Sequence, residues 1–196
     1  MNSTLKKHIF SHITLTDEEW YQFSSAFEHI ALRKKEKLIT VGDTVAHEYF
    51  VIKGCLKAYT TDAQENQHIV QFAIEDWWIS DFRAFFNEQP AELTIECVEN
   101  TEVLALKKTD LEALYHEIPK LERFFRIKLT NAFVSMQHRI LSSLEKNSTE
   151  RYTEFLKTYA TLEQRIPNYL IANYLGIKPE SLSRIRKILV TPNSNS

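Results

Sequence analysis

Hydrophobic and polar positions change period twice along the chain. Thr16-Asp17-Glu18-Glu19 has the spacing of a capping box, which predicts a helix from there towards Glu28. Short segments rich in β-branched and aromatic residues follow at 29–33, 37–41, 48–53, 55–60, 68–74, 93–98 and 102–106. Turn formers separate them at Gly42-Asp43, Gly54, Asp62 to Asn66 and Glu99-Asn100. Many short strands at this pitch predict a small antiparallel barrel or jelly roll. The helical period then returns. Thr109-Asp110-Leu111-Glu112 reads as a second capping box, and Pro119 suits the start of a long helix reaching about residue 144. Along it Leu129, Phe133, Met136, Ile140 and Ser143 recur at steps of four and three, with Leu144 beside the last. That narrow seam fits a second copy of itself, or simply packs on the barrel. Asn147-Ser148 ends the helix and caps another, from 149 to about 160. The fold class is α+β, divided at residues 1–118, 119–146 and 147–196.

Near the C-terminus the chain reads IPNYLIANYLGIKPESLSRIRKIL, residues 166–189. Pro167 suits a first helical turn, and Ile171, Ala172 and Leu175 share one face. Gly176 can take the left-handed conformation that ends a helix. Pro179 opens a second helix with Leu182, Ile185 and Leu189 predicted on its inner face. Small Ala172, four residues before Gly176, allows close approach, and Ile177 helps to seal the core. This is the plan of a helix-turn-helix, whose second helix enters the DNA major groove. Lys178, Pro179, Glu180, Ser181, Ser183, Arg184, Arg186 and Lys187 are the candidate DNA-facing residues. Short polar and cationic groups of this kind reach base edges and phosphates.

Charge refines the picture only locally. The 196 residues carry a net charge of −2. From Glu145 onward there are eight Lys/Arg against five Asp/Glu, a surplus of three that leaves −5 on the rest. A basic end on an acidic body accords with double-stranded DNA as partner. No apolar run nears the ~18 residues that span a bilayer, and the first twenty residues lack a signal-peptide core. Cys55 and Cys97, both in strand-like segments, suggest packed thiols in a reducing cytoplasm.

Barrel, long helix and helix-turn-helix in this order resemble the Crp/Fnr family of bacterial transcription regulators. GDTVAHEYFVIKGCLKAY (42–59) is similar to that family's early barrel strands, and residues 166–189 carry the other half of the likeness. The resemblance implies a cyclic-nucleotide-binding-like sensor domain at 1–118, a dimerisation helix at 119–146 and a DNA-binding domain at 147–196. It implies a homodimer that reads an inverted repeat, with RNA polymerase as a further partner. It places Glu180 and Arg184 where bases are read, and Ser181 and Lys187 where phosphate or neighbouring contacts occur. Leu129, Phe133, Met136, Ile140 and Leu144 become the dimer seam.

The ligand cassette departs from the family. Nucleotide-binding members carry a Gly-Glu-Leu turn and, about ten residues later, an Arg-Ser pair. Here Ser80-Asp81-Phe82 and Ala91-Glu92 stand in those places. Asp81 could accept from a hydroxyl, but Ala91 cannot pair with a phosphate and Glu92 repels one. Met136 and Gln137 match the positions that meet the base. Cyclic AMP is therefore expected not to bind in the usual manner, and no cofactor is expected. The candidate effector pocket, Trp78, Ser80, Asp81, Phe82, Ala91, Glu92, Met136 and Gln137 with Phe85 nearby, either holds another small molecule or is filled by its own side chains. The N-terminal cysteines of oxygen-sensing members and the axial ligands of haem-sensing members are missing. Only VTPNSNS follows Leu189, so the family's wing is expected to be reduced.

Two other classes are weighed against this reading. A cupin-like metalloenzyme would use His47, but Tyr49 stands where a second histidine is needed, and His29 and His68 are scattered. No phosphate loop, nucleophile elbow or His-Glu-x-x-His motif is present, so neither an enzyme nor a metal site is expected. The alternative is a ligand-sensing or adaptor protein that has lost specific DNA binding.

Overall fold

The computed structural model describes residues 3–190. Its elements run α1 (Ser3–Phe10), α2 (Asp17–Ser25), β1 (Phe27–Leu32), β2 (Lys37–Ile39), β3 (His47–Lys53), β4 (Leu56–Thr61), β5 (Gln67–Ala73), β6 (Trp78–Ile79), α3 (Phe82–Asn87), β7 (Thr94–Cys97) and β8 (Thr101–Lys107). Helices α4 (Lys108–Glu117), α5 (Lys120–Glu145) and α6 (Ser148–Thr158) follow, then a 3-10 turn at Leu162–Gln164, α7 (Asn168–Leu175) and α8 (Pro179–Val190). The strands form two four-stranded sheets in the orders β1-β8-β3-β6 and β2-β7-β4-β5. β8 pairs antiparallel with both β1 and β3, and β7 with both β2 and β4. This is the α+β, antiparallel architecture that the pattern predicts.

Local chemistry explains where the elements start. The first capping box forms as predicted. Glu19 N donates to Thr16 Oγ1 at 3.2 Å, and Thr16 N donates to the Glu19 carboxylate at 2.7 Å. Asn147 caps α6 by accepting from Thr149 N and Glu150 N at 2.9 and 3.1 Å. The second predicted box, at Thr109, does not form. β8 passes straight into α4, and Lys107 holds the cap position without a side-chain bond. Lys108 N donates to Ala46 O at 2.9 Å, so the helix begins too early for Thr109 to cap it. Helices α1 and α3 and the two-residue β6 were not predicted.

Packing divides the chain into two compact units, 1–60 with 70–130, and 61–69 with 131–196. The predicted partition follows element boundaries, whereas this one cuts α5 itself and groups the tip of the β4–β5 hairpin with the C-terminal helices. In the first unit, Phe50, Val51, Ile79, Ile95, Val103 and Leu106 form a fully buried centre. Leu5, Ile9, Trp20 and Phe23 close it from α1 and α2, and Leu121, Phe124 and Phe125 from α5. In the second, Tyr152, Phe155, Leu162, Leu170, Ile171, Ala172 and Leu182 are buried. Cys55 lies in the turn before β4 rather than in a strand, and both cysteines are buried and unpaired with each other. Burial pushes the Cys97 thiol up to about 11. Among the described residues no helix is long and apolar enough to cross a membrane. The wing expected to be reduced falls on 191–196, outside the described residues.

Candidate nucleic-acid interface

The turn between α7 and α8 is built on Gly176. Its φ is +64°, and its N–H reaches back to the carbonyls of Ala172 and Asn173. Ile177 N donates to Ala172 O at 3.0 Å, closing the left-handed end that a Cβ would strain. Ile171 and Ala172 on α7 and Leu182 and Ile185 on α8 are buried. Leu189, predicted on the inner face, is instead exposed together with Ile188. The apolar inner face of α8 therefore ends at Ile185.

The buried pair fixes which side of α8 looks outward. Lys178, Pro179, Glu180, Ser183, Arg184 and Lys187 are exposed, and Ser181 is half-buried. Glu180 and Arg184 stand one turn apart on the same face. Arg186 is set apart from these residues. Its guanidinium lies 2.8 Å from Glu163 and also donates to the Asn168 side chain.

The unit also holds contacts that no local pattern announces. Asn173 on α7 accepts from Ile69 N at 2.8 Å and donates to Gln67 O, so one side-chain amide pairs with the main chain of β5. Arg139 of α5 donates to Ile69 O at 3.0 Å and to Tyr174 O at 3.3 Å, with its guanidinium 4.0 Å from the centre of the Tyr174 ring. The apolar seam on α5 is open. Phe133 is 61% and Leu144 77% exposed, and Leu129, Met136 and Ile140 are exposed with them.

The candidate effector residues of the first unit come together around α3. Asp81 is 2% exposed and caps that helix, accepting from Ala84 N at 3.1 Å. Its other oxygen accepts from Glu92 N at 2.8 Å and Leu93 N at 3.0 Å. The carboxylate thereby holds three main-chain donors at once. Ser80 donates to His47 O at 2.8 Å, and Ala91 is buried against the Gly42-Asp43 turn by two main-chain bonds. Glu92 is exposed and pairs with Arg83 at 2.7 Å. Met136 and Gln137 are exposed on the part of α5 that belongs to the other unit.

Trp78 and Phe82 lie under a side chain that the sequence reading missed. Lys128 Nζ sits 4.1 Å from the Trp78 ring centre, 5.6 Å from that of Phe82 and 4.5 Å from that of Phe125. It bonds Glu48 at 2.6 Å, and the second Glu48 oxygen is buried without a partner. Burial lowers the Lys128 pKa, an effect the Glu48 charge opposes. The only local signal was a glutamate at an inward position of a strand.

Comparison with known proteins gives this geometry a context. Residues 29–117 match the family described as Cyclic nucleotide-binding domain. The chain is 24% identical over 184 residues to the Anaerobic regulatory protein of Haemophilus influenzae, covering 88% of this chain and 71% of that protein. Among solved structures, FixK2 from Bradyrhizobium japonicum superposes with a TM-score of 0.72 at 18% identity, over 87% of this chain and 89% of its own. The Catabolite Activator Protein of Thermus thermophilus gives a TM-score of 0.54 at 21% identity, over 93% and 86%. The chain thus has the Crp/Fnr fold, with residues 29–117 matching the cyclic nucleotide-binding domain.

Proposed function

We propose that this protein is a DNA-binding transcriptional regulator that acts as a homodimer and does not use cyclic AMP as its effector. The observation that carries the proposal is the outward face of α8, where Glu180 and Arg184 stand exposed behind the Gly176 turn. In a major groove, a glutamate accepts from cytosine N4 and an arginine donates two bonds to guanine O6 and N7. Exposed Lys178 and Lys187 flank them as phosphate contacts. The open apolar seam of α5 supports a second copy as the partner that supplies the other half-site reader. The cassette supports independence from nucleotide. Its convergent amides are taken by Asp81, and Arg83, on the helix that Asp81 caps, already faces Glu92.

Electrophoretic shift with fragments of the source genome, at two salt concentrations, tests the proposal. The expected result is sequence-dependent retention that weakens steeply with salt, from a recovered inverted repeat with half-sites about one helical turn apart. Arg184→Ala should cost about 1–3 kcal/mol and relax preference at one base, while Lys187→Ala weakens all sequences alike. Equal retention of every fragment, or none, would refute DNA reading and leave a sensor or adaptor. A clear rise in melting temperature with millimolar cyclic AMP would refute the nucleotide statement alone.

A further inference from the structure

The cations of α8 occupy different environments. Arg184 and Lys187 are exposed, whereas Arg186 is half-buried and turned towards its own unit. Its guanidinium lies 2.8 Å from Glu163 Oε1 and donates through a second nitrogen to Asn168 Oδ1. The same Glu163 oxygen accepts from the Tyr152 hydroxyl, and Tyr152 is almost wholly buried. Burial, and then the bond to Glu163, pushes that phenol up to about 12, so it remains a donor at neutral pH. Tyr152 belongs to α6, Glu163 to the 3-10 turn, Asn168 to the start of α7 and Arg186 to α8. One guanidinium and one carboxylate therefore join all four elements of the helix-turn-helix region.

Apolar contacts alone would hold α8 loosely. Leu182 and Ile185 set how closely it packs, but burial of such side chains is non-directional and tolerates a roll about the helix axis. A side chain that reads a base has to be held to within about 10–20°. A planar fork bonded to two acceptors on different elements supplies the missing direction. We propose that Arg186 is a positioning residue, which with Glu163 and Asn168 fixes the roll of α8 and hence the aim of Glu180 and Arg184, without itself touching DNA. The inference rests on DNA reading by α8.

The test compares Arg186→Ala, Arg186→Lys and Glu163→Gln in the full chain, titrated onto a retained genomic fragment and a scrambled duplex across a salt series. Arg186→Ala and Glu163→Gln are each expected to lower discrimination between the two duplexes about tenfold, within the cost of one mismatched base pair. The slope of log affinity against log salt should stay as in the wild type, since no phosphate contact is lost. Arg186→Lys should fail to restore discrimination, because one ammonium cannot reproduce the fork to both acceptors. Glu163→Gln keeps the size of the side chain but replaces the carboxylate that holds the guanidinium with a neutral amide, so it decides the matter if Arg186→Ala unfolds the unit. A slope shallower by about 0.9, equal loss on both duplexes and rescue by lysine would make Arg186 a phosphate contact and overturn the inference while DNA reading stands. A wild type that retains neither duplex overturns DNA reading and the inference together.

Discussion

Lys128→Met takes one charge out of the interior of the first unit and leaves its counter-charge behind. The Lys128 and Glu48 side chains are 11% and 1% exposed, and their charged atoms lie 2.6 Å apart. Desolvating two ions costs several kcal/mol each, and their mutual attraction restores most of it only while both are present. Glu48 already has one oxygen without a partner, so loss of the ammonium strands the whole carboxylate. Breaking a buried pair from one side costs about 3–5 kcal/mol. Methionine keeps the length of the aliphatic stem against Trp78 and Phe125, so the loss of packing should be minor. Replacing both partners, as in Glu48→Leu with Lys128→Met, removes the stranded charge. It should bring stability back to within about 1 kcal/mol of the wild type or above it.

Urea unfolding followed by tryptophan fluorescence reads this unit alone, because Trp20, Trp77 and Trp78 all lie in it. A loss below about 1 kcal/mol at pH 7, or a double variant no more stable than the single one, would refute the reasoning.

Three further outcomes follow from the geometry. Gly54→Ala should destabilise more than Gly42→Ala. Both have positive φ, +105° and +94°, but a Cβ at Gly54 would meet Thr101 Oγ1 at 2.5 Å and the Asn100 carbonyl at 2.7 Å, whereas Gly42 has nothing within 4 Å. Comparison of urea midpoints should give about 1–3 kcal/mol for strain alone at Gly42 and an added overpacking cost at Gly54. Asp62 should titrate near 2 by NMR, held down first by the His68 side chain and then by the Asn66 amide. Because its folded pKa lies below the ordinary 3.8, the stabilisation it gives the hairpin tip is present above that value and lost as pH falls towards 2. His68→Ala should move the midpoint upward. Phe133→Asp with Leu144→Asp should convert the proposed dimer to a monomer by sedimentation; an unchanged sedimentation coefficient would remove the coil from the account.

How much was legible depends on how far apart the cooperating residues stand. The capping box at Thr16, the cap at Asn147, the Pro119 start of α5 and the Gly176 turn are written within four residues, and each forms where the spacing placed it. Thr109 satisfied the same spacing and failed, because a contact from Lys108 to Ala46, sixty-two positions away, started the helix first. α1 carries only Leu5, Ile9 and Phe10 as an apolar signal, too short to separate from chance. The site divides in the same way. The exposed face of α8 follows from helical period. The inward turn of Arg186 depends on Glu163, and the burial of Lys128 depends on Glu48, eighty positions earlier. A positive charge on a polar helix face reads identically whether it meets solvent or a distant carboxylate.

The cassette changes are coherent when taken as a set of charges rather than as separate losses. A phosphate entering beside α3 would have to displace a carboxylate that already accepts from Ala84, Glu92 and Leu93, and the displaced anion would remain next to it. Charge-assisted bonds of this kind are among the stronger ones, and here they are sheltered from water. With Asp81 in that place, an arginine at position 91 has no exogenous anion to neutralise, and Ala91 packs instead into the Gly42-Asp43 turn. Glu92 then ceases to be a repelling charge and becomes the partner of Arg83. Restoring arginine at 91 alone would therefore place a cation into a buried site without giving a phosphate its amides. Only removal of the Asp81 carboxylate frees those donors, which makes Asp81, rather than the missing arginine, the residue that sets the nucleotide independence proposed for this protein.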